Sequence, residues 1–235
     1  MANKVVIVRK GFTEGVEYTL DVDTGTNLRG LTPQGGGQFI FALDKNKIAF
    51  YRMDAKNAIF RKIDSDVTTS GSDSDILGVT SSLGWMCWGV HNLRSGTNRE
   101  NLVFARDNGK AMDTVSFNVG VPDVGNRIRG MEMRDNTIYY IFHQNSLPAK
   151  QLIRARNFPI DATSDFLSID LGNSSINGLC LDAQDFTRFW TISSSKVLRF
   201  HSMDGTVIEQ FTITNSGTYQ DVKDLGDGRL AISAT

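Results

Sequence analysis

Two arginines and two amides recur at one position of the chain. Arg29, Arg129, Asn177 and Gln220 each lie within an apolar-x-Gly-apolar motif. The copies read Leu28-Arg29-Gly30-Leu31, Ile128-Arg129-Gly130-Met131, Ile176-Asn177-Gly178-Leu179 and Tyr219-Gln220-Asp221-Val222, the last with Asp in place of Gly. A further copy, Ile76-Leu77-Gly78-Val79, carries leucine before its glycine. Brought together, two guanidiniums and two amides can bind a carboxylate, a phosphate or sugar hydroxyls. The same groups can instead hydrogen-bond to neighbouring connections and hold repeat units together. Asp221, beside Gln220, joins this candidate set.

A second set is basic. Arg9, Arg52, Arg106, Arg156 and His201 each close a short alternating run. Such a ring of cations can dock an acidic partner or pair internally with carboxylates such as Asp21, Asp54, Asp64, Asp107, Asp170 and Asp204. A third set, Lys45, His91, Arg94, His143 and Asn145, lies in predicted connections. Its two histidines lack a visible third ligand, so no metal site is predicted, and no cofactor.

Catalysis by carboxyl groups needs two or three of them to converge with split proton affinities. The acids in the motif-bearing runs are Glu132, Asp182, Asp221 and Asp224. Aligned on the motif, Glu132 corresponds to Thr32, Thr80, Cys180 and Lys223, so no acidic ring is predicted. Nucleophile, P-loop and dinucleotide motifs are missing from the sequence. Gly35-Gly36-Gly37 precedes an extended run rather than a helix, so it reads as a turn and not a phosphate cradle.

The elements that must position these residues follow from the repeat. Successive motif copies are 48, 52, 48 and 43 residues apart, and 44 residues separate Asp221 from Gly30 through the two chain ends. A period that closes on the chain length is what a ring requires. Each unit contains short alternating runs, clearest in Ile176–Asp182, Arg188–Ser193, Lys196–His201 and Val207–Ile213, with an Asp204-Gly205 hairpin signal between the last two. The third runs align independently, as Lys4–Arg9, Lys47–Arg52, Asn101–Arg106, Gln151–Arg156 and Lys196–His201.

The expected fold is all-β: a single five-bladed β-propeller over residues 1–235 with four antiparallel strands per blade. Blade units are expected at 28–64, 76–119, 128–171 and 176–213, with 219–235 completed by 4–22. N-terminal strands c and d thus join C-terminal strands a and b, limiting exposed edges. Strand order puts the Arg29 set at one channel mouth, with the third set on the same face, and the basic set on the opposite face. Two polar stretches, Ser65–Asp75 and Asn92–Glu100, exceed structural need on the mouth face, where contact loops are expected.

Bulk properties narrow the partners. Apolar residues make up 40% and the net charge is −1, which gives no general electrostatic case for nucleic acid or an anionic membrane. No run approaches the length of a membrane span and the N-terminus lacks a signal-peptide pattern, so neither membrane insertion nor secretion is expected. Cys87 and Cys180, each in an apolar stretch, read as buried small hydrophobes rather than a disulfide.

The stretch Gly178–Ile213 resembles an NHL-type repeat. It has Gly178-Leu179-Cys180-Leu181-Asp182 as inner strand, Phe189-Trp190 on the second, Val197–Phe200 on the third and Asp204-Gly205 after it. The resemblance implies a binding platform and leaves its ligand open. In general character the chain also resembles propeller proteins of phage virions and tails. The expected function is a non-catalytic binding or assembly module contacting other protein subunits, located in the virion if viral and otherwise in the cytoplasm. A carbohydrate-binding, receptor-binding propeller is the first alternative, with a surface glycan as partner. A propeller hydrolase or metal-dependent lactonase is the second.

Overall fold

The computed structural model describes residues 3–21, 27–43, 47–64, 67–68, 74–92, 99–106, 115–118, 127–144, 149–158, 165–172 and 175–235. Residues 67–68, 74–75, 91–92, 99–101, 106, 115–118 and 127 are described by their backbone alone. Among the described residues all regular structure is strand, and no helix is long and apolar enough to cross a membrane.

β1 (Lys4–Arg9) and β2 (Gly15–Leu20) form an antiparallel hairpin. β3 (Leu28–Gly35), β4 (Gln38–Leu43), β5 (Lys47–Asp54) and β6 (Ile59–Lys62) follow as a meander, and β7 (Val67–Thr68) continues the outer side of β5. Three separate four-stranded antiparallel sheets come next. They are β8 (Ser74–Ser82) to β11 (Val115–Asn118), through β9 (Trp85–Asn92) and β10 (Arg99–Arg106); β12 (Arg127–Arg134) to β15 (Leu167–Asp170), through β13 (Thr137–Gln144) and β14 (Lys150–Asn157); and β16 (Ile176–Leu181) to β19 (Val207–Thr212), through β17 (Arg188–Ser193) and β18 (Val197–Ser202). β20 (Tyr219–Asp224) and β21 (Arg229–Ala234) complete the series.

β21 pairs with β1, from Lys4 opposite Ala234 to Arg9 opposite Arg229, giving the order β20-β21-β1-β2. This group is not isolated from its neighbour as the repeat predicts. β2 also pairs in parallel with β6 through Thr19–Ile59 and Leu20–Phe60, merging both groups into one nine-stranded sheet. Apolar packing accounts for the junction: Tyr18, Leu20 and Phe60 share one core cluster, and the Tyr18 and Phe60 rings meet edge to face at 5.8 Å.

Period-two alternation explains how these strands serve two cores at once. On β13, Ile138, Tyr140 and Phe142 face a cluster shared with Phe104 of β10, while Ile141 faces one shared with Leu179 of β16. On β4, Phe39 and Phe41 pack with β1 and β2, while Ile40 and Ala42 pack with Val79 and Trp88. The remaining cluster joins Trp190 and Ile192 of β17 to Val6, Leu230 and Ile232. Each buried large side chain contributes about 1.5–3 kcal/mol through apolar burial.

The first strands touch in succession: β3 with β8, β8 with β12, β12 with β16, β16 with β20, and β20 with β3. The recurrent glycines permit this approach. A Cβ on Gly130 would lie 2.6 Å from Gly178 Cα, and one on Gly178 would lie 2.5 Å from Asp221 Cα. Four-stranded antiparallel sheets with first strands in successive contact make the architecture propeller-like.

Candidate functional site

The motif residues converge where the first strands begin and the second strands end. Arg29, Arg129, Asn177 and Gln220 line one concavity of about 330 Å³, joined by His143 at the end of β13. Ser175, Ser194 and Thr218 complete much of the wall, and among the described residues no carboxylate lines it. Both guanidiniums are half-buried, as is Gln220. One side of the wall is braced across three sheets. Arg129 Nη1 donates to Asn177 Oδ1 at 2.6 Å, and Asn177 Nδ2 donates to the Tyr219 carbonyl at 2.8 Å. Gln151 locks its own sheet to the next, accepting from Ile176 N–H and donating to the Ile176 carbonyl, both at 2.8 Å. The mouth is therefore a polar hollow that carries two guanidiniums and has a stiffened rim.

Asp221 does not belong to the mouth. It is fully buried, accepting from Leu31 N–H at 3.2 Å and from its neighbour Val222 N–H at 2.9 Å. In this fifth copy of the motif a side chain replaces the glycine and reaches the next first strand by hydrogen bonding. Burial pushes its carboxyl up to about 6, against the pull of nearby Lys223.

Beneath the mouth lies the layer of Thr32, Thr80, Glu132, Cys180 and Lys223. Lys223 is almost fully buried; its ammonium donates to the Met131 carbonyl and, at 2.8 Å, to the Leu179 carbonyl. It stands 3.4 Å from Glu132 and 3.6 Å from Asp221. Burial opposes its charge, but Asp221 and Glu132 outweigh that and raise its pKa. For Glu132, burial dominates over Lys223 and Arg134 and pushes the carboxyl up. Two acids thus share one cation.

A second polar centre forms at the opposite end. Lys10 Nζ lies 2.7 Å from Asp182 Oδ2 and 2.6 Å from Asp224 Oδ2, bridging β1, β16 and β20. Asp182 also accepts from Trp190 Nε1 at 3.1 Å and caps its turn through the Gln184 and Asp185 N–H groups. Burial raises the Asp182 pKa, yet the Lys10 bond and these other donors prevail and hold it below the usual carboxylate value. Sequence reasoning passed over Lys10, because its partners are 172 and 214 residues away. The only local signals were Asp182 at the end of an inner run and Trp190 eight residues on.

The basic set does not form a ring of five exposed cations. His201 is buried, stacked on Phe189 at 4.6 Å, with Nε2 against Thr191 Oγ1 at 2.9 Å and Nδ1 against the Gly205 carbonyl at 3.2 Å. Burial lowers its pKa and favours the neutral ring. Arg156 is buried as well, its Nε donating to Asp165 at 2.5 Å beside the Tyr140 ring. Arg9 and Arg52 are exposed, and the Arg106 side chain lies outside the described residues.

His91 is placed by its backbone on β9, but its side chain is not described. Lys45, Arg94 and Asn145 lie outside the described residues, as does most of Ser65–Asp75 and Asn92–Glu100. Cys87 and Cys180 are free and buried, and burial pushes both thiols up. Among the described residues no cluster of three or more His, Cys, Asp or Glu side chains is suited to a metal ion.

No family model and no curated protein matches the sequence. Among solved structures, the WD40 domain of Pan2 from Neurospora crassa is similar with a TM-score of 0.47 and 7% identity. The match covers 88% of this chain and 62% of that one, so the chain spans less than two thirds of that domain. At this level the likeness carries no inference about binding or activity.

Proposed function

We propose that the chain is a closed five-bladed propeller, NHL-like in its repeat, acting as a non-catalytic binding and assembly module through its polar mouth. The observation that carries this reading is a mouth lined by guanidiniums, amides and hydroxyl-bearing residues and braced across three sheets. Five blades are supported by the cyclic succession of first-strand contacts and by five core clusters between successive sheets. The NHL-like reading is favoured by Asp182, which caps its turn and binds Trp190. A non-catalytic role is supported by the channel acids: Glu132 and Asp221 both neutralise Lys223 rather than standing as a separated acid and base.

The proposed partners are protein subunits of a larger particle, with a phage virion or tail as the setting its sequence character suggests. Sedimentation of the endogenous protein in a gentle lysate of its source tests this. Migration with a megadalton particle is expected; migration as the free chain would overturn it. Carbohydrate binding is the second reading, favoured by the amide and hydroxyl lining of the mouth. It requires glycan retention that Arg29→Ala and Arg129→Ala abolish.

A further inference from the structure

At the end away from the mouth, a second hollow of about 340 Å³ lies between the β16–β19 sheet and the turn after β1. Its floor is aromatic. Trp190 and Phe200 stack at 4.4 Å with their planes 24° apart, Trp190 almost fully buried and Phe200 half-buried. Pairing across the sheet explains the alignment: Phe200 of β18 lies between Trp190 of β17 and Glu209 of β19. One row therefore runs from aromatic floor to carboxylate rim. Arg188, two residues before Trp190, shares its face. The Arg188 guanidinium stands 5.7 Å from the Phe200 ring centroid and 3.1 Å from Asp185. Part of the facing wall is backbone at Gly11, whose φ of 84° suits glycine and where an added Cβ would meet nothing within 4 Å. Asp182 also lines the hollow, but Lys10, Trp190 and two backbone N–H groups already engage it. Gln184, Arg188 and Glu209 stand exposed on the rim, and Asp185 is half-buried there.

We infer that this hollow binds an uncharged pyranose residue, at the end of the molecule that the mouth reading leaves free. The two sites are separate, so this inference does not depend on what the mouth contacts. A pyranose presents an apolar C–H face and a rim of hydroxyls, and the hollow offers a complement to each. Phe200 takes the C–H face out of water, and the buried Trp190 ring behind it fixes the orientation of that platform. Sugar hydroxyls both donate and accept. Asp185 and Glu209 accept from them, Arg188 donates to them, and the Gln184 amide does both. Bonds to the charged groups are about twice as strong as neutral ones. A cationic ligand is a poorer match, because Arg188 already supplies a cation at the Phe200 ring. A sugar acid would bring its carboxylate against Asp185 and Glu209. Small-molecule sites span about 300–1,000 Å³, and a volume near the lower end suits one sugar unit of a longer glycan.

The test is NMR titration of the full chain with the methyl glycosides of glucose, galactose, mannose and N-acetylglucosamine, using glucuronate as the acidic control. The Trp190 indole N–H reports from the floor of the hollow. Its signal should move saturably with at least one of the four neutral glycosides and stay in place with glucuronate. Phe200→Ala should abolish the binding, but it also unstacks Trp190. Glu209→Ala is therefore the deciding variant, because its side chain projects from an exposed strand. It should weaken binding at least about tenfold, the loss of one charge-assisted bond, and unfold within a few degrees of the wild type. A Trp190 signal that none of the four glycosides moves, or wild-type affinity in Glu209→Ala, overturns the inference. So does binding that Arg29→Ala and Arg129→Ala abolish while Glu209→Ala retains it, which would place the sugar at the mouth instead.

Discussion

At the scale of residues, the molecule is organised by charges that find partners far along the chain. Lys10 satisfies two carboxylates that are themselves almost fully buried, with side-chain exposures of 8% for Asp182 and 2% for Asp224. Removing the cation strands them, so Lys10→Met should destabilise the fold by about 2–4 kcal/mol at neutral pH, measured by urea unfolding. Asp182 is held below its ordinary pKa, so its contribution is present above the unfolded carboxyl value and fades as pH falls through the folded one. The Lys10→Met deficit should therefore shrink in acid. Asp221 behaves oppositely. Raised from 3.8 to about 6, it keeps in the native state a proton that the unfolded chain has already released, and this stabilisation is lost as pH rises across that interval. Asp221→Asn should therefore gain on the wild type by about 2–3 kcal/mol between pH 4 and pH 7, read from paired urea titrations. Residue types on a strand were legible in the sequence; their surroundings were not. Arg156 and His201 occupy the same place in the repeat as exposed Arg9 and Arg52, but Asp165 and Phe189 draw them inward. Asp221 was assigned to the mouth from its neighbour Gln220, although successive residues on a strand face opposite ways.

At the scale of elements, the repeat motif has a steric cause. Gly178 sits where β16 and β20 approach too closely for a side chain, so Gly178→Ala should cost about 1–3 kcal/mol and lower the melting temperature in calorimetry. β1 joins β21 through six residue pairs and supplies Val5, Val6, Ile7 and Val8 to two core clusters. Deleting residues 1–10 should expose the β21 edge and both clusters, giving loss of the cooperative transition and aggregation by size-exclusion chromatography. These elements were legible because alternation and spacing are local. The predicted runs Arg188–Ser193 and Lys4–Arg9 are the observed β17 and β1, and Lys196–His201 is displaced by one residue in β18. The parallel contact of β2 with β6 was not legible. It depends on Tyr18 and Phe60 meeting across two groups, which no periodicity encodes.

At the scale of the whole molecule, the two ends of the sheets have different characters. Residues that open the first strands gather into a polar hollow with two guanidiniums on its wall. At the other end, the charges of Lys10, Asp182 and Asp224 are consumed by one another. The layer between is closed by Lys223 and its carbonyl and carboxylate partners. An assembly module built this way should present its mouth and keep its far end free. Hydrogen–deuterium exchange of the free chain against the chain within its isolated particle tests that directly. The account predicts slowed exchange on assembly at residues 27–29, 175–177, 194–196 and 214–220. Slowing confined to the opposite turns, 10–14, 54–58 and 202–206, would contradict it.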